Sequence, residues 1–194
     1  SSDVCSSDLL LSTMLYAVPD APGLAAQTPL RGEPGDEWEY QTVHSVLLQE
    51  VLRNVLADDQ AYFRFAHEYL FQPLGMRNSF FQADANGTFI GGASMYACGR
   101  DWLKLGLLYL NHGVHEGQRI LPEGWVEYAT TASAPSMQRR AYGAQIWLND
   151  FSPKRLFPRL PEDAYAFQGH YGQYVVVIPS MELVVVRLGM TFNG

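Results

Sequence analysis

The clearest apolar pattern in the chain follows Arg100-Asp101. Trp102, Leu103, Leu105, Leu107, Leu108, Tyr109 and Leu110 recur three and four apart and predict a helix with one buried face. Gly91-Gly92 breaks whatever precedes it, and Asp101 in the first turn suits the helix dipole. Asn111-His112-Gly113 stops the run, with Gly113 free to adopt a left-handed cap. Pro122 at a first helical position, with Glu123 beside it, predicts a second helix start running into Trp125. Upstream, Val43, Val46, Leu47, Val51 and Val55, filled in by Leu48, Leu52 and Leu56, predict a helix over 43–56 buried on a broad face. A further helix is expected over 59–71, ended by Pro73-Leu74-Gly75. Residues 12–37 carry four prolines and three glycines and read as ordered loop, with one helical turn near Gly23–Gln27. Ser79–Phe81 reads as a short extended piece and Asn86-Gly87 as a tight turn.

The character changes after Tyr128. Residues 141–149 (AYGAQIWLN) read as a strand, 150–163 as a proline-containing loop, and 174–179 with 183–188 as an antiparallel hairpin of β-branched runs. Helices first and strands last argue an α+β fold, with a mainly helical region over 9–130 and a sheet region over 131–194. Residues 1–8 repeat Ser-Ser-Asp around Val-Cys without periodicity. They are expected to be disordered or a non-native leader to the domain over 9–194.

The 194 residues are 47% hydrophobic and 17% charged, enough for a sizeable core. The net charge of −7 and the lack of any basic run argue against nucleic acid as a partner. No apolar run reaches bilayer length, so no membrane span is expected. Cys5 and Cys98 permit one disulfide without suggesting a framework, and Cys98 is expected to be a small buried residue.

Residues 94–111, SMYACGRDWLKLGLLYLN, form a long ungapped string. It resembles the signature segment of serine hydrolases of the β-lactamase and penicillin-binding protein group. The nearest branch is class C-like, with 6-aminohexanoate-oligomer hydrolases, esterases and D-aminopeptidases. The resemblance spans about residues 14–192. It implies a β-lactamase/transpeptidase-like fold, a helical region packed on an antiparallel sheet with flanking helices. Its first strands, nucleophile helix and C-terminal helix are expected to be absent, so the fold would be incomplete. It also implies hydrolysis of an amide or ester through an acyl-enzyme, a small-molecule substrate, no cofactor, and a periplasmic or cell-envelope location; the oligomeric state is left open.

Three motifs carry the family's chemistry. Ser-x-x-Lys, the acylated nucleophile with its activating lysine, is absent. The lysines are Lys104 and Lys154, and Asp101 and Phe151 stand three residues before them. In the family that motif precedes the tyrosine by more helical chain than is available before Tyr40. The chain is therefore expected to be a fragment lacking its nucleophile segment, and inactive alone. The second motif, Tyr-x-Asn, matches Tyr40-Gln41-Thr42 within Pro34-Gly35-x-x-Trp38-x-Tyr40, with a hydroxyl where the family has an amide. Tyr40 is then the proton-transfer residue; read without the family, it is a turn tyrosine packing on Trp38. The third, a Lys-Thr-Gly-like strand segment, is replaced here by Phe167-Gln168-Gly169-His170-Tyr171-Gly172-Gln173. The resemblance implies that the His170 N–H is an oxyanion donor and that Gly169, Tyr171 and Gly172 contact substrate. The His170 side chain reads equally well as a cleft residue or a structural one.

Other candidates read more simply. His112 and His115 flank a glycine in a surface loop, and no acid or cysteine completes a metal set with them. Ser94 has no strand leading into it, so it is not a nucleophile elbow. His67 and Glu68 read as an exposed helix face and Arg139-Arg140 as a solvated loop edge. The alternative function is a non-catalytic penicillin-binding-like module that holds cell-wall peptide or a partner protein.

Overall fold

The computed structural model describes residues 12–29, 32–33, 35–36, 38–133, 142–150 and 155–191. The expected leader over 1–8, Arg139-Arg140 and Lys154 lie outside them. The chain divides into two compact units. The first comprises residues 1–33, 39–68 and 78–97; the second comprises 34–38, 69–77 and 98–194.

In the first unit, helix α1 (Ala21–Ala26) starts where the Asp20 carboxylate accepts the Gly23 N–H at 2.8 Å, with Pro22 in the first turn. Helix α2 (Thr42–Leu56) ends at Ala57, which adopts a left-handed φ of 53°. Val43 and Val46 of α2 join Met14, Ala21, Ala25 and Ile90 in a small core. The broad buried face expected for this helix is not found: Leu48, Val51 and Val55 are exposed, because only the first two turns meet α1 and the chain around Ile90. Helix α3 (Asp59–Ala66) is capped by Asp58 and passes into a π-helical turn, His67–Phe71, so the expected helix over 59–71 is continuous but changes hydrogen-bond register. Tyr62 is fully buried; its hydroxyl donates to Gln49 at 3.2 Å and accepts the Phe89 N–H at 2.9 Å. Strands β1 (Ser79–Phe81) and β2 (Met95–Ala97) form an antiparallel ribbon. The Asn86-Gly87 turn is present, and the Asp84 carboxylate holds it by accepting the Asn86 and Thr88 N–H groups.

In the second unit, helix α4 (Gly99–Leu110) is the element expected from the leucine pattern. It stops where both His112 and Gly113 take left-handed conformations. Strands β3 (Val114–His115) and β4 (Gln118–Arg119) make a small ribbon. Helix α5 (Trp125–Ala129) begins three residues later than Pro122 suggested, because Gly124 at φ 77° is its cap and Pro122 lies in the preceding turn. The main sheet is antiparallel in the order β5 (Trp147–Leu148), β6 (Tyr165–Gly169), β7 (Gln173–Ile178) and β8 (Leu183–Arg187).

The expected strand over 141–149 shrinks to β5. Gly143 bends the chain back on itself, and its N–H donates to Ile146 O at 2.9 Å. A Cβ there would stand 2.0 Å from Ala129 O, so only glycine allows this approach. Residues of β6 and β7 alternate between two faces. Tyr165 and Val177 pack with Tyr109, Val126, Ile146 and Leu148, whereas Ala166, Val176 and Ile178 pack under Leu156, Phe157 and Leu160. Gly106 admits β7 and β8 to the surface of α4, since a Cβ would lie 2.5 Å from Val184 Cγ1 and 2.9 Å from Val175 Cγ1.

The loop expected before β6 is held by one side chain. Asn149, fully buried, donates Nδ2 to the carbonyls of Pro161 and Phe157 at 2.9 and 3.1 Å. Its Oδ1 accepts the Phe157 N–H at 2.7 Å. Asn149→Ala leaves these backbone groups buried without partners and should cost about 3 kcal/mol in urea denaturation, with Asn149→Asp intermediate.

Burial pushes the phenols of Tyr62, Tyr109 and Tyr165 above their ordinary value. A raised folded-state value stabilises the fold fully below the unfolded phenol pKa, about 10, and that stability is lost as pH rises through the folded values. Denaturation midpoints should therefore be flat from pH 8 to about 10 and fall above it, with Tyr165→Phe reducing the slope.

Candidate active site

Tyr40 belongs to the first unit. Residues 38–41 have no regular secondary structure and lead into α2, with Gln41 as its extended cap at φ −142° and ψ 139°. The side chain of Tyr40 is 49% exposed, and burial of the remainder pushes its phenol up from the ordinary value. The hydroxyl is thus neutral near pH 7. It can give a proton directly, and it can take one only with a cation alongside. Gly91-Gly92 does more here than interrupt a helix. A Cβ at Gly91 would lie 2.5 Å from Ser45 O, and one at Gly92 2.3 Å from Thr42 Cγ2. The glycine pair lies against the first turn of α2 and fixes the backbone on which Thr42 sits. Trp38 belongs to the second unit, where its ring meets Tyr142 at 5.5 Å and Trp147 at 6.0 Å.

Gly169, His170, Tyr171 and Gly172 lie together in the second unit, as the turn from β6 to β7. Gly169 pairs with Gln173, and the three residues between them reverse the chain. Tyr171 and Gly172 are left-handed, at φ 57° and 75°. All three turn carbonyls are engaged. His170 O accepts from Gln173 Nε2 at 3.1 Å, and Tyr171 O accepts the Thr191 N–H at 3.0 Å. Gly172 O accepts from Arg187, which also donates to Thr191 Oγ1. Among the described residues no group accepts the His170 N–H. The His170 ring packs on Tyr171 with centroids 3.8 Å apart, and both residues are exposed. Arg187, Gln173 and Thr191 were not foreseen from the sequence. Arg187 sits fifteen residues beyond Gly172, and only the β7–β8 register, which pairs Tyr174 with Arg187, brings it back.

The remaining candidates have structural surroundings. Lys104 donates to Gly75 O and lies 3.6 Å from the buried Asp101 carboxylate, so its charge is spent on packing α4. His112 Nδ1 meets Glu127 Oε1 at 2.8 Å on the surface, and His115 lies in β3. His67 and Glu68 are exposed, as expected. Cys98 is exposed rather than buried: it caps α4 in an extended conformation, outside the helical face that packs.

The family pattern described as Beta-lactamase matches residues 7–193. The chain belongs to the beta-lactamase family. No curated protein sequence matches this family member. Its fold is found in solved structures of low sequence identity. A Bacillus anthracis structure described as a 6-aminohexanoate-dimer hydrolase matches at TM-score 0.69 and 21% identity, over 84% of this chain and 41% of that one. A beta-lactamase from Mycobacterium bovis matches at TM-score 0.65 and 17% identity, over 84% and 60%. The octameric penicillin-binding protein homologue of Pyrococcus abyssi matches at TM-score 0.66 and 17% identity, over 93% and 47%. The chain thus spans about half the length of these solved relatives. The architecture is the β-lactamase/transpeptidase-like α+β one, and among the described residues no helix is long and apolar enough to cross a membrane.

Arg187→Met removes the donor to Gly172 O and Thr191 while keeping most of the side chain's bulk. The turn should lose about 1 kcal/mol, read as roughly fivefold faster amide exchange at Thr191 and Gln173.

Proposed function

We propose that this beta-lactamase-family chain is part of a serine hydrolase that cleaves small-molecule amides or esters through an acyl-enzyme, at the cell envelope. The observation that carries the reading is the β6–β7 turn, whose three carbonyls are engaged while the His170 N–H has no described acceptor. An amide held in that way suits an oxyanion that develops during reaction, because it needs no rearrangement to donate. In this reading Gly169 and Gly172 let a substrate carbonyl approach the backbone, and Tyr171 borders its path.

In this reading the chemistry would draw on a serine outside these residues, on the Tyr40 phenol and on the His170 N–H. A serine hydroxyl attacks the carbonyl carbon, and Tyr40, as the phenolate that a neighbouring cation would hold ionised, takes its proton and becomes the phenol. The tetrahedral oxyanion accepts from the His170 N–H. Tyr40 passes the proton to the leaving amine or alcohol as the C–N or C–O bond breaks. Water then attacks the acyl-serine ester, giving its proton to Tyr40, and the departing serine oxygen recovers it. With a phenol raised by burial, Tyr40 accepts a proton only beside a cation. Residues 1–194 contain no Ser-x-x-Lys to supply one, and Lys104 is engaged with Asp101 and Gly75. The reading therefore assigns both the serine and its lysine to polypeptide beyond these residues. The lack of that motif here also favours a second reading, a penicillin-binding-like module that holds cell-wall peptide or a protein without turnover.

The 194-residue chain should show no stoichiometric labelling by a fluorophosphonate or a fluorescent penicillin. The protein from the complete reading frame should label one-to-one at a serine followed three residues later by lysine, and Tyr40→Phe should slow that labelling by about 10²-fold or more. A complete protein that binds peptide but never labels would establish the non-catalytic module instead.

A further inference from the structure

The second unit has a pocket that the hydrolase reading does not use. It opens at the end of β6 opposite the glycine turn: Tyr165 lines it, and Gly169 is four residues further along the strand, about 13 Å at strand rise. Its volume is about 280 Å³, near the lower limit for small-molecule sites, and it opens to solvent. Two phenols, Tyr109 and Tyr165, line it with Leu148 and Val126, while Glu127, Asp150, Glu162 and Asp163 contribute carboxylates.

Acidic side chains alone would only be a solvated rim. Here they stand around a mostly buried tyrosine whose oxygen has no partner among the described residues. Tyr165 is only 5% exposed as a residue, and its hydroxyl, which is not shut off from solvent, makes no hydrogen bond among the described residues. Its neighbour is satisfied: Tyr109 accepts from Trp125 Nε1 at 3.2 Å. Burial first, and then the charges of Tyr109, Glu127 and Asp163, push the Tyr165 phenol up from its ordinary value.

The carboxylates are unequally committed. Glu162 pairs with Arg155, Asp163 accepts from Ser180 N and Oγ at 2.6 and 2.9 Å, and Glu127 meets His112. Asp150 is exposed and has no hydrogen bond or ion pair among the described residues. No three acids or histidines among the described residues stand close enough to share a metal ion. An apolar, phenol-walled floor beneath separated carboxylates suits an organic cation instead: the alkyl part lies on the rings, and the charged nitrogen donates to a phenol oxygen and a carboxylate.

We propose that this pocket is a second ligand site, which binds a small primary alkylammonium compound through Tyr165 and Asp150. The inference is independent of the hydrolase reading, since no residue of the glycine turn and no part of the first unit takes part in it.

The test is an amide-shift titration of the ¹⁵N-labelled chain with n-butylammonium chloride, against sodium chloride, n-butanol and calcium chloride at equal concentration. Saturable shifts should appear at Ala164, Tyr165, Thr130 and the Trp125 indole N–H with n-butylammonium only. Asp150→Asn should weaken binding at least threefold and Tyr165→Phe at least fivefold. Asp150 is exposed, so its variant tests the site even if Tyr165→Phe disturbs packing. Equal shifts with sodium chloride or n-butanol, preferential binding of calcium, or affinity unchanged by Asp150→Asn would each overturn the proposal.

Discussion

Strands β6 and β7 are covered on both faces, and most of the second unit follows from that. One face takes α4 and α5, the other takes the loop from 155 to 163. Neither cover is self-sufficient. Gly106 must lack a side chain for α4 to meet Val175 and Val184, and Asn149 must satisfy the loop's inward backbone for it to lie on Val176 and Ile178. A sheet clamped from both sides holds its terminal turn to a fixed shape. The 170–172 turn inherits its geometry from this packing, and its own hydrogen bonds complete it.

Much of this was legible in the chain. The leucine spacing of α4, the β-branched runs of β7 and β8, and the Asn-Gly turn are local signals, and each appears where periodicity or turn chemistry puts it. The misreadings share a cause. Val51 and Val55 have helical spacing, but spacing reports only that a face could be buried; what it meets is decided elsewhere in the chain. The run at 141–149 has strand composition, yet Gly143 approaches Ala129 O, a contact that no local pattern contains. Pro122 marked a turn rather than a first helical position because Gly124, two residues on, took the cap.

The candidate site was legible to a different degree. Tyr40 and the glycine turn came from family resemblance, since neither a half-exposed tyrosine nor a glycine pair distinguishes itself chemically. The groups that stabilise the turn were invisible. Arg187 is one of eleven arginines, and only strand register shows which of them reaches Gly172. The pocket at the opposite end of β6 was equally hidden, because Tyr109 and Tyr165 are 56 residues apart and Asp150 follows a buried asparagine with nothing to mark it.

The choice of arginine at 187 has its own consequence. A guanidinium holds its donors in a fixed planar fork, whereas an ammonium is a compact charge on a flexible stem. Gly172 O and Thr191 Oγ1 are therefore gripped together by one rigid group. The Gly172 carbonyl is also polarised, which strengthens the donor character of amides bonded in series with it. Because one planar group spans the reversal and the chain that follows β8, neither can shift without dragging the other along.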